Sequence, residues 1–167
     1  GTVSLSVAIT HPERVSKVTV IGSPIVGSSL ALLLKLAGRR WIASTVFKSM
    51  WALNLGLRLS APIISNDPHF YTMITRDLSQ TTMESFLLSI ASLRRTDLRP
   101  LLSQISVPAM GMYGDKDVIV DPNQWQLMQA GIKNTRVERF KDAGHFIMLD
   151  EPERFVGTLK QFLDEEV

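Results

Sequence analysis

Two residues in this chain combine a side chain suited to proton transfer near neutral pH with a turn position. Asp117 closes Gly114-Asp115-Lys116-Asp117, and His145 stands in Asp142-Ala143-Gly144-His145-Phe146. A carboxylate bonded to one ring nitrogen of a histidine fixes its tautomer and leaves the other nitrogen to take up and return a proton. Acid first and histidine later is the order in which one class of nucleophile–acid–base triads presents its last two members. Plainer readings compete. Asp115 could form the turn, Asp121 ahead of Pro122 reads as a helix cap, and His145 could be satisfied within its own turn. His11 and His69 read as surface histidines. With no third histidine and no cysteine at ligand spacing, no metal and no cofactor is expected.

The elements that must position these two residues surround them. Val107-Pro108-Ala109-Met110-Gly111-Met112-Tyr113 is a short apolar run of strand character, and Thr135–Phe140 alternates Val137 and Phe140 among charged neighbours. Between them Asp121 and Pro122 predict the start of a helix. After the histidine, Asp150 with Glu153 three residues on predicts a capped helix. Its apolar stripe is Phe155, Val156, Leu159, Phe162 and Leu163. Upstream, Gly1–Ala8 predicts a helix of small residues, and Val18-Thr19-Val20-Ile21-Gly22-Ser23-Pro24 reads as the next strand. In a parallel sheet, sites gather at the carboxyl ends of strands, where both Asp117 and His145 fall. From Pro24 to about Pro100 the pattern turns helical: Leu30, Leu33, Leu34 and Ala37; Phe47, Trp51 and Leu55; Phe86, Ile90 and Leu93. No strand is predicted there. Trp51 and Met73 are the expected lining of a pocket.

These phrases together resemble the C-terminal portion of an α/β-hydrolase. The family shows a strand ending in G-x-x-D, then G-H, then a helix opening E-x-P-E-x-F or a close variant. Here Gly114 to Asp117, Gly144-His145-Phe146 and Glu151-Pro152-Glu153-Arg154-Phe155 stand in those places. His11-Pro12-Glu13-Arg14-Val15 and the strand after it are similar to the stretch that follows the family's nucleophile. The resemblance implies a three-layer α/β fold, with a partial parallel sheet and an inserted helical cap. Residues 1–24 and 100–167 would form the core and 25–99 the cap. It implies that Asp117 is the acid orienting the histidine and that His145 is the general base.

It also implies a serine on a G-x-S-x-G elbow, and no such phrase occurs in these residues. Ser4, Ser6 and Ser23 lack glycines two positions to either side. By the resemblance, Gly1 follows the nucleophile by roughly three positions, so the elbow and the oxyanion donors lie upstream. The chain then reads as a fragment, or as one half whose other half sits elsewhere, inert when isolated. The implied parent is a hydrolase of an ester or related acyl bond in a small apolar substrate. Two alternatives remain open: an epoxide- or haloalkane-type hydrolase with an aspartate nucleophile, and a non-catalytic fragment or binding relative.

Composition bounds the rest. A length of 167 residues fits about one domain, and 45% hydrophobic with 20% charged residues allows a packed core. The net charge of +2 is scattered, with Arg39-Arg40 and Arg94-Arg95 too small for a nucleic-acid footprint. Ile25–Ala37 carries Lys35 and falls short of the roughly 20 residues that span a bilayer. The partner expected is a small molecule rather than nucleic acid or membrane. The absence of cysteine fits a reducing compartment such as the cytoplasm. A strand lacking its elbow-side neighbour would leave an apolar edge, open to a homodimer or a swapped dimer.

Overall fold

The computed structural model describes residues 1–31 and 50–165. Its centre is one strand, β2 (Ala109–Gly114), flanked by β1 (Val18–Ile21) and β3 (Thr135–Phe140) in a parallel sheet of order β1-β2-β3. Val18 pairs with Ala109, and Ala109 with Thr135, so the three strands run in step toward the same end.

Every residue of β2 is buried, because side chains alternate faces and both faces are covered. Ala109 and Tyr113 pack with Leu5 and Ala8 of α1 (Thr2–Thr10) and with Met128 of α5 (Gln124–Gly131). Met110 and Met112 meet Phe140, Ile147 and Phe162 on the other side. Phe162 belongs to α7 (Pro152–Asp164), so the sheet is the middle of three layers. An uncovered face would leave several of these side chains in water, each worth about 1.5–3 kcal/mol of burial. This is the α/β fold the sequence predicts.

The predicted ends shift in informative ways. The first strand begins at Val18 as the sequence suggests and stops at Ile21, after Pro12–Arg14 forms a 3₁₀ turn that carries the chain out of α1. Helix α5 starts at Gln124, not at Asp121. The Asp121 carboxylate accepts from the Asn123 backbone N–H two residues on, a turn instead of a cap, and Asn123 takes the N-cap position. Asp150 does not cap α7 either. It ends the single turn α6 (Ile147–Asp150), and Glu151 occupies the N-cap without a side-chain bond. The stripe of α7 is narrower than predicted. Phe162, Phe155 and Leu159 pack on the sheet, while Val156 and Leu163 are exposed. Lys17 steadies the far end of this helix by donating to the carbonyls of Phe162, Leu163 and Glu165.

Between β1 and β2 lie α2 (Met50–Ile64), α3 (Phe70–Ser79) and α4 (Met83–Arg94), the last capped by Thr82 accepting from the Ser85 N–H. The ends of this segment meet. Val26 pairs antiparallel with Asp97, Gly27 N–H donates to Thr96 and Leu98 N–H to Ile25. Leu30 is not helical; it forms an antiparallel bridge with Val120. Leu33, Leu34, Ala37 and Phe47 lie outside the described residues, as does the side chain of Trp51.

Candidate active site

The turn after β2 and the turn after β3 are stitched together by backbone before any side chain acts. Asp115 N–H donates to the Phe140 carbonyl at 2.9 Å and Lys116 N–H to that of Ala143 at 3.0 Å. Asp115 itself receives both arms of the Arg139 guanidinium, at 3.0 and 2.9 Å, and so anchors the turn. Asp117 is left facing inward, its side chain 2% exposed.

One oxygen of Asp117 is committed locally: Oδ1 accepts from the N–H groups of Ile119 and Val120 at 2.8 and 2.9 Å. These two bonds fix the carboxylate plane and leave Oδ2 for His145 Nδ1, 2.7 Å away. With the carboxylate accepting, Nδ1 carries the proton, and Nε2 is the ring nitrogen free to exchange one. His145 keeps 23% of its side chain exposed, on a cavity of about 530 Å³. Ile90 and Leu93 of α4, with Ile119 and Val120 of the acid loop, give the cavity apolar walls, and Ser23 adds a hydroxyl.

Three residues outside the predicted pair shape this geometry. Gly22 ends β1 with φ 51°. A side chain there would begin 3.0 Å from the His145 ring and 3.3 Å from Asp117 Oδ2, so the pair rests directly on its backbone. Gln124, 4% exposed, accepts through Oε1 from the N–H groups of Ile25 and Val26, holding the chain that leaves β1 along the cavity. Asp150 bonds to the residue just before His145: Gly144 N–H donates to its Oδ2 at 2.7 Å. The Gly-Ser-Pro phrase after β1 was the one signal for Gly22. Nothing local marks Gln124 or reassigns Asp150.

Of the other sequence candidates among the described residues only Ser23 reaches this cavity, and the histidines and Met73 stand apart. His11 bonds to neighbouring Thr10 at the end of α1, and exposed His69 precedes α3. Met73, expected to line the pocket, instead borders a separate depression with His69, Thr72 and Arg76. Ser6 donates to the Thr2 carbonyl, and the hydroxyl of buried Ser23 lies 3.5 Å from that of Thr2. Among the described residues no three His, Asp or Glu side chains converge as a metal site. None of their helices is long and apolar enough to cross a membrane.

The arrangement matches a known scaffold. The family model of the alpha/beta hydrolase fold matches residues 70–152. The chain is 25% identical to a pimeloyl-[acyl-carrier protein] methyl ester esterase of Neisseria meningitidis, over 98% of this chain and 66% of that protein. It is also 25% identical to 3-oxoadipate enol-lactonase 2 of Acinetobacter baylyi, over 89% of this chain and 54% of that one. In structure it is similar to an esterase from Exiguobacterium antarcticum, with a TM-score of 0.77 at 22% identity, covering 98% of this chain and 63% of the other. The chain thus spans between about half and two thirds of the length of these relatives. Strand topology, the match over residues 70–152 and the structural likeness agree on one conclusion: the chain has the α/β-hydrolase fold.

Proposed function

We propose that Asp117 and His145 are the acid and general base of a Ser-Asp-His triad that hydrolyses an ester or related acyl bond in a small, apolar substrate. The observation that carries this reading is the 2.7 Å bond from His145 Nδ1 to an Asp117 oxygen whose partner oxygen is already committed. In this reading the serine comes from residues outside this sequence. Its hydroxyl proton passes to His145 Nε2 as Oγ attacks the substrate carbonyl; the imidazolium then returns the proton to the leaving group. Water repeats the cycle on the acyl-enzyme. Asp117 stabilises the imidazolium at each stage. The names of the matched relatives, a methyl ester esterase and an enol-lactonase, support ester-type bonds. The cavity walls of Ile90, Leu93, Ile119 and Val120 support an apolar acyl or leaving group. The helices of residues 25–99 serve as the cap over it, and the cytoplasm is the proposed compartment.

The test is p-nitrophenyl ester hydrolysis by a chain that carries the elbow. His145→Ala and Asp117→Asn should each lower kcat by about 10³- to 10⁴-fold or more. Retention of full activity by either variant removes the dyad from the mechanism. The 167-residue chain alone should show no turnover. As a second proposal, β1, paired with β2 alone among the described residues, and the exposed Val3 and Val7 of α1 form a face for a homodimer or swapped dimer. Sedimentation showing only a folded monomer at micromolar concentration rules that dimer out.

A further inference from the structure

We infer that Asp150 is a positioning residue that couples the placement of the helical segment to the orientation of His145. Its carboxylate is divided between two parts of the chain far apart in sequence. Oδ1 accepts from Ser65 Oγ at 2.7 Å and from Asn66 N–H at 2.8 Å, just past the end of α2. Oδ2 accepts from Gly144 N–H at 2.7 Å. Of the three donors Asn66 is exposed, whereas Ser65 is 5% exposed and Gly144 is buried, so these two have no ready access to water in place of the carboxylate.

Three further contacts run along the same seam. The Ile64 carbonyl lies so close to Gly144 that a side chain at 144 would begin 2.5 Å from it. The Phe70 ring at the start of α3 packs on Phe146 at 4.9 Å, and Phe146 meets the His145 ring edge-on at 5.1 Å. Asn66 Nδ2 also donates to the Asp142 carbonyl at 3.3 Å. Residues 142, 144 and 146 of the histidine turn are therefore each held by residues 64–70. His145 stands between two of the held positions. A shift of the helical segment moves Gly144 and Phe146 together, and with them the angle at which the imidazole meets Asp117.

This coupling concerns ring orientation and stands whether or not the pair is catalytic; its bearing on turnover rests on the function proposed above. The experiment is therefore spectroscopic, on the 167-residue chain labelled with ¹⁵N. Asp150→Asn keeps the shape but turns an N–H₂ toward N–H and O–H donors. It should speed amide exchange at Gly144 and Asn66 by roughly tenfold or more while the β2 amides keep their protection. It should also shift or broaden the His145 Nδ1–H resonance. Asp150→Glu, which retains the carboxylate, should recover part of the protection. Ser65→Ala perturbs only the helical side and decides the matter if Asp150→Asn does not fold. It should move the His145 Nδ1–H resonance, whereas the core variant Ile132→Val, remote from this seam, should not. An unchanged His145 resonance in Ser65→Ala, or in a folded Asp150→Asn, overturns the coupling.

Discussion

The strand β2 and the helix α2 are both apolar, yet they are stabilised in opposite ways. All of β2 is enclosed between α1 and α5 on one face and α7 on the other. Along α2, Leu55, Leu59 and Ile63 recur every four residues with 48%, 66% and 64% of their surface exposed. The sheet region makes its own core. The helical segment, its own ends closed by the Val26–Asp97 pairing, is fastened to it at a few points, among them the Leu30–Val120 bridge, the Phe70–Phe146 contact and the Asp150 carboxylate. Substitutions in the sheet should therefore act through packing. Those in α2 should act mainly where the seam meets the histidine turn.

That contrast can be broken experimentally. The largest effect is expected at Phe140, fully buried against Met110, Met112 and Phe162. Phe140→Ala should cost about 3–5 kcal/mol in urea unfolding. A cost below about 1 kcal/mol would mean that the second layer is not the tight pack described. Gly22→Ala comes next. Its φ of 51° and the 3.0 Å approach to His145 predict a loss of about 1–3 kcal/mol together with a displaced His145 Nδ1–H signal. Loss of stability with an unmoved signal would separate the strand end from the dyad. Leu59→Ala should change stability by no more than about 0.5 kcal/mol, and a core-sized cost there would show that α2 is covered in solution.

The smallest effect is electrostatic. Lys116 bonds to the exposed Asp142 and holds its carboxyl below the ordinary carboxylate range, first by that hydrogen bond and then by its charge. Because the folded-state value is the depressed one, the linked stability is present above the ordinary carboxylate pKa. It fades as pH falls through the lowered value. Lys116→Ala should let the Asp142 titration, followed by carboxyl NMR, move up toward normal. Raising salt in the native chain should produce part of the same change, since both groups are exposed.

Much of the sheet was legible from residue order. Thr135–Phe140 reads as a strand from its alternation, and its bounds match the structure. The turn at Gly114–Asp117 and the Gly-His phrase announce themselves because turns depend on local backbone chemistry. The helical character of 50–94 is equally local. Less legible were the polar side chains with more than one possible partner. Asp121 ahead of Pro122 looks like a cap, but its carboxylate closes a turn on Asn123 and the helix waits for Gln124. Gln124, unremarkable in the sequence, holds a backbone about a hundred residues away.

The sequence by itself therefore determined the parallel strands, the acid turn and the histidine turn, since periodicity and turn preference act over a few neighbouring residues. Only the tertiary structure decided that Asp117 Oδ2 reaches His145, that Gly22 lies beneath both, and that Asp150 leaves its own helix for Ser65 and Gly144. A carboxylate can satisfy a nearby N–H or a distant one with similar energy. Which it takes depends on the donors that packing brings within about 3 Å, and those come from segments far away in the chain.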